Sequence, residues 1–316
     1  MKILVTGCAG FIGSHLCERL LEENYEVVGI DNFDDFYSRD LKERNIKSFR
    51  NNTSFELHEF DLLNQDKLNE LEAIDVVIHL AAKAGVRPSI VRPSVYIDSN
   101  IKSTQNVLDF LVKQNITKYV FASSSSIYGN KSKIPFTEED ECNYPISPYA
   151  YTKKACEMMN YTYHYLHQID TVNLRFFTVF GPRQRPDLAI HKFVSKIKNN
   201  QPIEMYGNGK SARDYTFISD TIEGICLSLD YLLKNKNVFE NFNIGNHYPI
   251  TLEKLIQSIY SELKSTPNVV IKDMNKAEVD ITYADISKAR KLLGYQPRVE
   301  FEEGIRKFIS WHEKYI

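Results

Sequence analysis

The turn Gly7-Cys8-Ala9-Gly10-Phe11-Ile12-Gly13 decides the fold, because it follows the apolar run Ile3–Thr6 and opens a helical pattern. Glycines at this spacing permit a tight turn and let the backbone approach a pyrophosphate, while the helix N-terminus offers N–H groups to the phosphates. The next apolar run ends at Asp31, 24 residues after Gly7, near where dinucleotide-binding sequences place an acid for the adenosine ribose. A glycine turn alone also suits an ordinary strand-to-helix loop. The combination predicts NAD, since Asp31 would repel the 2′-phosphate of NADP.

Apolar runs alternate with amphipathic stretches through the first half of the chain. The runs lie at Ile3–Thr6, Glu26–Asp31, Phe55–Phe60, Val76–Ala81, Lys118–Ser123 and Thr171–Phe176. Runs of this length suit strands that are buried on both faces. Helix-period segments such as Gly13–Glu23 and Ile101–Gln114 separate them and indicate βαβ units. We therefore predict an α/β fold, a Rossmann-type doubly wound parallel sheet followed by a smaller α/β C-terminal lobe.

The pattern becomes irregular after about Arg175, which marks a change of organisation. Prolines and a glycine turn interrupt it, at Pro182, Pro186, Pro202 and Gly207-Asn208-Gly209, before helical patterns resume at Thr221–Tyr231, Leu252–Leu263 and Phe301–Trp311. We expect residues 1–174 to form the NAD-binding Rossmann domain, with segments near 213–245 returning to it. Residues 175–316 are expected to form mainly the smaller, substrate-binding lobe.

Composition excludes several classes of protein. The 316 residues carry 39 Lys+Arg against 41 Asp+Glu and are 43% hydrophobic, whereas a nucleic-acid-binding protein would usually be basic. The five cysteines form no C-x-x-C pair, which disfavours a disulfide framework or a metal site and favours the reducing cytoplasm. Gly7 leaves no room for a signal peptide, and no uncharged apolar run reaches about 18 residues. We expect a cytoplasmic protein with no metal and no nucleic-acid or membrane partner.

Tyr149 and Lys153 are candidates for proton transfer. They lie one helical turn apart, a spacing at which an ammonium can lower the pKa of a phenol so that the phenolate acts as a base. Tyr206/Lys210 and Tyr260/Lys264 share the spacing, so the spacing alone carries little weight. Tyr149/Lys153 differs because it opens a helix after the carboxyl end of the strand Lys118–Ser123, where open α/β sheets bind ligands.

Two further groups of polar residues have a structural and a functional interpretation. The run Ser123–Ser126 suits a flexible turn, but at the end of a strand its hydroxyls can also hold a sugar hydroxyl in position. Basic residues after the first half suit a solvated face or an anionic substrate such as a nucleoside diphosphate. They are Arg175, Arg183, Arg185, Lys192 and Arg213.

Taken together, these motifs resemble the extended short-chain dehydrogenase/reductase family over essentially the whole chain. The resemblance rests on Thr6–Gly13, Asp31-Asn32, Asp61-Leu62, His79–Ala82, Asn100, Ser123–Gly129, Tyr149–Lys153, Arg175–Thr178 and Arg213–Tyr215. Within that family the chain is most similar to nucleotide-sugar 4-epimerases, especially the UDP-glucuronate 4-epimerase group. The narrower likeness rests on Asp31–Phe33 with Tyr37 and Leu41–Glu43, on Ala84–Arg87, and on Gly181–Asp187.

The resemblance implies a set of NAD contacts. Gly7, Gly10 and Gly13 would line the pyrophosphate, Asp31 and Asn32 the adenosine ribose, Asp61 and Leu62 the adenine, and Ala81, Ala82, Asn100 and Lys153 the nicotinamide half, with Phe11, Ile12, Leu80 and Tyr149 as further cofactor contacts.

It also implies a reaction and its substrate contacts. Tyr149 would remove the proton of the sugar 4-hydroxyl as C4 is oxidised, with Ser124 sharing the hydrogen bond and Lys153 holding the phenolate. The 4-keto sugar would turn over and be reduced on its other face. Contacts to the UDP-sugar would come from Arg87, Ser124, Ser125, Ser126, Thr178, Arg185, Tyr206, Arg213 and Glu278.

Serines weigh against two related reactions. Similar sugar 4,6-dehydratases carry an Asp-Glu pair where Ser125 and Ser126 stand, and UDP-glucuronate decarboxylases usually carry Glu in place of Ser126. An epimerase of glucuronate must hold the C6 carboxylate firmly, because a β-keto acid loses CO2 readily. We expect Arg185 or Arg87 to supply that charge, with hydroxyls from Ser125, Ser126 and Thr178.

Several alternatives stay open. If Arg185 and Arg87 serve the diphosphate instead, UDP-glucose or UDP-N-acetylglucosamine is the substrate. A protein that binds NAD or a sugar nucleotide without turnover is the alternative of another class. The resemblance implies a homodimer built on the helices of Tyr149 and Ile101–Gln114. The chain departs from the family at Lys83 and at Asn275–Glu278, where a second diphosphate arginine is missing.

Overall fold

The computed structural model describes residues 1–130, 133–273 and 279–316. Its strands are β1 (Lys2–Thr6), β2 (Glu26–Asp31), β3 (Phe55–Glu59), β4 (Val76–His79), β5 (Lys118–Ser124), β6 (Asp170–Phe176), β7 (Thr178–Phe180), β8 (Ile203–Tyr206), β9 (Ala212–Phe217), β10 (Phe239–Ile244), β11 (Pro249–Thr251) and β12 (Val269–Lys272).

Its α-helices are α1 (Phe11–Glu22), α2 (Arg39–Ile46), α3 (Gln65–Asn69), α4 (Val86–Val91), α5 (Pro93–Tyr96), α6 (Ser103–Lys113), α7 (Pro148–His167), α8 (Ala189–Lys198), α9 (Ile218–Lys234), α10 (Leu252–Leu263), α11 (Ser287–Leu293) and α12 (Phe301–Tyr315). A π-helical segment, Ile97–Lys102, precedes α6, and a 3-10 turn, Ser125–Tyr128, follows β5.

The main sheet is parallel throughout and has the strand order β3-β2-β1-β4-β5-β6-β10. The order reverses direction between β1 and β4, which is where doubly wound sheets bind their ligands. The predicted Rossmann-type parallel sheet is therefore confirmed. Its last strand, β10, follows β7, β8 and β9 of the smaller sheets in the chain.

Alternate residues of the central strands enter different hydrophobic clusters. Ile3 and Val5 of β1 lie in one cluster with α1 and α9, whereas Leu4 lies in the other with α6. Because successive side chains of a strand point to opposite faces, both faces of the sheet are covered. This explains the continuous apolar runs of the sequence and leaves the carboxyl ends of the strands as the place for a site.

Two small sheets build the second lobe. β7, β9 and β11 form one, in the order β11-β9-β7, and β8 pairs with β12 in the other. β9 runs parallel to β7 and antiparallel to β11. In the described parts of the chain, none of the helices combines the length and the apolar character needed to cross a membrane.

Several helix boundaries differ from the sequence prediction. The helix predicted over Thr221–Tyr231 extends over Ile218–Lys234, and α12 continues beyond Trp311 to Tyr315. α1 begins at Phe11 rather than Gly13, with Gly10 as its N-cap. The helix predicted over Ile101–Gln114 is divided, because the π-helical segment runs up to Lys102 before α6 begins. A single π-helical turn leaves the pattern of apolar residues almost unchanged, so the sequence did not reveal it.

Candidate functional site

The glycine turn forms a cradle that only glycine can line. Gly7 has a φ of +74°, and a Cβ on it would lie 3.0 Å from the Cα of Ala81. A Cβ on Gly13 would lie 2.0 Å from the carbonyl oxygen of Gly7. No side chain caps the N-terminus of α1, and its first turn carries no acidic residue. The turn and helix therefore present backbone N–H groups to an anion, and the residues fit a dinucleotide pyrophosphate.

Asp31 ends β2 beside this cradle. Its buried carboxylate accepts hydrogen bonds from the backbone N–H of Ala9 at 3.1 Å and of Phe33 at 2.8 Å. Lys42 Nζ lies 3.7 Å from the same carboxylate. Burial raises the pKa of Asp31, and the nearby Lys42 ammonium opposes that shift. Asn32 Nδ2 donates to Asp61 Oδ2 at 2.8 Å, so the side chains predicted for ribose and adenine are neighbours.

A single cavity of about 870 Å³ joins the cradle to the second lobe. Of the predicted site residues in the described part of the chain, Asn100 alone does not line it, and Glu278 lies outside the described residues. The predicted residues that line it are Gly7, Gly10, Phe11, Ile12, Gly13, Asp31, Asn32, Asp61, Leu62, Leu80, Ala81, Ala82, Arg87, Ser124, Ser125, Ser126, Tyr149, Lys153, Thr178, Arg185, Tyr206 and Arg213.

Tyr149 enters the cavity from the first turn of α7. Ser147 caps that helix by accepting a hydrogen bond from Ala150 N at 3.2 Å. Burial raises the pKa of the Tyr149 phenol, while a hydrogen bond from the Ser124 side chain and the positive charge of Arg185 lower it. Ser124 and Arg185 therefore favour the ionised form of the phenol, but burial outweighs them and leaves the pKa of Tyr149 above its ordinary value.

Lys153 lies deeper in the same wall. Its Nζ donates to the carbonyl oxygen of Ala122 at 2.7 Å and lies 4.8 Å from the centroid of the Phe121 ring. Burial lowers the pKa of Lys153 to about 8, with partial compensation from Cys156 and Glu157. The groups that lower the pKa of Tyr149 are Ser124 and Arg185, whereas the sequence led us to expect Lys153 in that role.

Asn100 lies in the π-helical segment and acts through its neighbours. Its Nδ2 donates to the Lys83 carbonyl at 3.1 Å and to Thr152 Oγ1 at 3.0 Å, and its Oδ1 accepts from Lys83 N at 2.8 Å. The side chain is almost fully buried, and these hydrogen bonds engage its amide oxygen and both hydrogens of its amide nitrogen. Its side chain therefore ties the loop after β4 to helix α7.

The basic residues divide into separate groups. Arg185 lines the cavity and forms a two-pronged ion pair with Asp187, with Nε to Oδ1 at 2.8 Å and Nη2 to Oδ2 at 2.7 Å. The Arg87 guanidinium lies 4.5 Å from the centroid of the Tyr206 ring. Lys192 and Arg213 also line the cavity, whereas Arg183 pairs with Glu18 at 2.8 Å.

Arg175 lies neither on a solvated face nor in the cavity, the two locations that the sequence suggested for it. It is 2% exposed, which excludes a solvated face, and it is not among the cavity-lining residues. Its Nε and Nη2 each donate to the Glu157 carboxylate at 3.0 Å. Charge counting in the sequence could not reveal this, because the partner lies one turn beyond Lys153 on another element.

Several residues of the cavity wall were not predicted from the sequence. Phe36, Tyr37 and Asp187 line it without having been predicted. The two-residue spacing of Arg185 and Asp187 was the one signal that could have suggested their ion pair. Phe36 offers no polar signal, and it lines the cavity because the loop after β2 folds towards Arg185, whose guanidinium lies 5.1 Å from its ring centroid.

Comparisons with known proteins agree with this geometry. A family model described as GDP-mannose 4,6 dehydratase matches residues 4–308. A UDP-glucuronate 4-epimerase of Thermodesulfobacterium geofontis is 40% identical over 317 residues, covering 99% of this chain and 96% of that protein. The crystal structure of a UDP-glucuronic acid 4-epimerase from Bacillus cereus, in complex with UDP-glucuronic acid and NAD, has a TM-score of 0.94 and 38% identity over 100% of both chains.

A structure of a UDP-glucose 4-epimerase from Thermotoga maritima, with UDP-glucose, has a TM-score of 0.90 and 29% identity over 99% of both chains. The fold is therefore shared by epimerases of a charged and of a neutral sugar. The cavity, rather than the fold, has to decide between them.

Proposed function

Because this chain belongs to the GDP-mannose 4,6 dehydratase family, within the extended short-chain dehydrogenase/reductases, we propose that it is an NAD-dependent 4-epimerase that interconverts UDP-glucuronate and UDP-galacturonate. One observation carries the proposal: the half-buried Tyr149 phenol lines the same cavity as Ser124, Lys153 and a glycine cradle that fits NAD. A cavity of this kind places a base for a sugar hydroxyl beside a redox cofactor.

Proton transfer in the proposed reaction belongs to Tyr149. The phenolate takes the proton of the sugar 4-hydroxyl and returns it to the same oxygen when C4 is reduced on its other face, so the residue ends each cycle unchanged. Ser124 steadies the phenolate by its hydrogen bond, and the charge of Arg185 favours it further. NAD, when bound, supplies the reversible oxidation of C4, and the cycle involves no net redox change.

Ser125 and Ser126 disfavour loss of the 6-hydroxyl from the 4-keto sugar. Both line the cavity beside Tyr149, and neither hydroxyl can act as the acid or base that removal of a 6-hydroxyl requires. Their presence supports epimerisation over the 4,6-dehydration for which the family model is named. The keto sugar is therefore expected to turn over in the cavity and be reduced intact.

Arg185 supports glucuronate as the sugar. Its guanidinium lies close enough to Tyr149 to lower the pKa of the phenol, which places its charge at the reacting end of the cavity. The Arg87 guanidinium instead lies over the ring of Tyr206, a residue that the family resemblance implies as a contact of the UDP-sugar and that we assign to stacking on the uracil. We therefore assign the C6 carboxylate to Arg185 and the diphosphate end to Arg87 and Arg213.

One observation favours a neutral sugar as the second candidate. Two nitrogens of Arg185 are already engaged by the Asp187 carboxylate, so the pair is neutral as a whole. If that pairing persists with substrate, UDP-glucose or UDP-N-acetylglucosamine would fit equally well.

Product analysis separates the candidates. Purified protein is incubated with UDP-glucuronate, UDP-glucose or UDP-N-acetylglucosamine, with and without NAD+, and products are followed by proton NMR. We expect UDP-galacturonate without pentose, and loss of that activity in Arg185→Ala but not in Arg183→Ala, whose side chain pairs with Glu18 outside the cavity. Turnover of neutral sugars alone would contradict the carboxylate assignment. NAD binding without any turnover, unaffected by Tyr149→Phe, would favour a non-catalytic protein.

We propose that the chain forms a homodimer through α7 and the neighbouring helix α6. Large side chains stand exposed along α7, with Met158 at 62% and Tyr165 at 74% exposure and Tyr161 between them. Residues spaced by three, four and seven positions share one helix face, so these side chains form one stripe. An isolated chain would leave that stripe in water.

The residues that line the cavity suggest which part of the fold binds which ligand. We propose that the main sheet, with residues 1–174 at its centre, holds NAD, and that the smaller sheets, which carry Tyr206 and Arg213, hold the UDP group. We also propose a cytoplasmic location, because all five cysteines are free thiols in buried positions.

A further inference from the structure

Lys83, a departure from the family pattern in the sequence, has a partner in the structure. Its Nζ forms an ion pair with Asp34 Oδ1. Both side chains are partly buried and both line the cavity. Lys83 follows β4 and Asp34 follows β2, so the contact joins two segments that are 49 residues apart in the chain.

The strand order determines what this ion pair crosses. In the main sheet β1 lies between β4 and β2. The glycine turn after β1 is therefore flanked by the loop after β4 on one side and the loop after β2 on the other. An ion pair between those two loops spans the carboxyl end of β1, where the glycine cradle and the N-terminus of α1 face the cavity.

Both ends of the bridge are held in place. Asn100 binds the backbone N–H and carbonyl of Lys83, at 2.8 and 3.1 Å. Lys42 Nζ donates to the Asp34 carbonyl at 2.9 Å, and the Asp34 carboxylate also accepts from Phe36 N at 2.9 Å. Opening the bridge therefore means breaking a charged contact between two anchored loops rather than moving two free side chains.

Phe36 extends the connection towards the sugar end. Its ring centroid lies 5.5 Å from Lys83 Nζ and 5.1 Å from the Arg185 guanidinium carbon. The aromatic ring thus contacts a cation from each of two other segments. The loop after β2, the loop after β4 and the Arg185 segment form one continuous cover.

We propose that Lys83 and Asp34 form a strap over the pyrophosphate of bound NAD and set the rate at which the cofactor leaves. The inference rests on the proposed function in taking NAD as the ligand of the cradle. It makes Lys83 and Asp34 positioning residues, because each acts by holding the other rather than by chemistry on the sugar.

Cofactor dissociation tests the strap directly. Protein saturated with NADH is mixed with excess NAD+, and the loss of NADH fluorescence gives the dissociation rate. We expect Lys83→Met and Asp34→Asn each to accelerate dissociation by about tenfold, and the double variant no more than either, because both remove one interaction. Higher ionic strength should accelerate release from the wild type and not from the variants.

The sign of the Asp34→Asn effect separates the strap from simple attraction. Removing a negative charge beside a pyrophosphate would by itself slow release, whereas loss of the strap speeds it. Lys234→Met and Asp230→Asn, which alter an exposed ion pair of α9, serve as matched controls and should leave the rate unchanged. Thermal unfolding checks that each variant is folded.

Unchanged or slower release in Asp34→Asn, or additive effects in the double variant, would overturn the strap while leaving the proposed function intact. A wild-type protein that takes up no NADH would overturn both.

Discussion

Removal of the Arg175 guanidinium should cost a large share of the protein's stability. Arg175 donates four hydrogen bonds: two at 3.0 Å to Glu157, one at 2.9 Å to Tyr128 Oη and one at 3.1 Å to the Glu138 carbonyl. In Arg175→Met the Glu157 carboxylate stays buried without its main partner. It keeps a hydrogen bond from Ser123 Oγ at 2.6 Å and an ion pair with Lys154 Nζ at 3.6 Å.

The expected cost follows from that residual bond. Breaking a buried ion pair from one side typically costs about 3–5 kcal/mol, because the remaining charge is uncompensated. Ser123 and Lys154 relieve part of the penalty, so we expect about 3 kcal/mol for Arg175→Met, a large part of the roughly 5–15 kcal/mol by which a typical protein is stable. Glu157→Gln should cost a similar amount, since a guanidinium cannot discharge by losing a proton.

Urea unfolding of both single variants and of the double variant measures these costs. Circular dichroism and Trp311 fluorescence should give the same transition if unfolding is cooperative. We expect the double variant to lose about 2–3 kcal/mol less than the sum of the single losses, because it leaves no buried charge unpaired. A loss below about 1 kcal/mol in Arg175→Met, or additive losses in the double variant, would refute the reasoning.

Three further predictions concern the cofactor, acid stability and assembly. Gly13→Ala should abolish NADH binding in a fluorescence titration, because its Cβ would lie 2.0 Å from a backbone oxygen, whereas Gly294→Ala, with nothing within 4 Å, should retain binding. Burial lowers the pKa of His79 to about 3 from its ordinary 6.5, so the unfolded chain takes up a proton first. The free energy of unfolding should therefore fall by about 1.4 kcal/mol per pH unit for this group as pH drops below 6.5, and a flat profile down to pH 4 would contradict it. Tyr165→Glu should convert a dimer into a 36.6 kDa monomer in light scattering, unlike Tyr144→Glu on another exposed surface, and a monomeric wild type would exclude the dimer.

Local patterns explain how much could be predicted. Ile3, Leu4 and Val5 are all apolar because neighbouring elements cover both faces of β1, and Gly13 is required by a close approach within its own turn. Such features depend on residues nearby in the chain or on strand burial, which sequence reports well. The fold and the glycine cradle followed from them, whereas most other predicted residues of the cavity were implied by the family resemblance.

The remaining features depend on which segments meet. Arg175 was expected on a surface or a substrate because its partner Glu157 belongs to a different element. The bonds of Asn100 to Lys83 and Thr152 were not predicted, because they depend on a π-helical segment that brings three separate parts of the chain together. Lys83 had no interpretation until the strand order placed Asp34 opposite it. Pairings of this kind are set by topology and carry no local periodicity.

The late position of β10 in the chain has a consequence for biosynthesis. β10 pairs with β6 over six residues, and every residue of β6 is buried in the finished sheet. A nascent chain that has not yet released Phe239 from the ribosome would expose one edge of β6 with unpaired backbone N–H and C=O groups. The main sheet therefore cannot be completed until β7, β8 and β9 of the smaller sheets have emerged. Truncation after β6 should yield an aggregating fragment rather than a free nucleotide-binding unit.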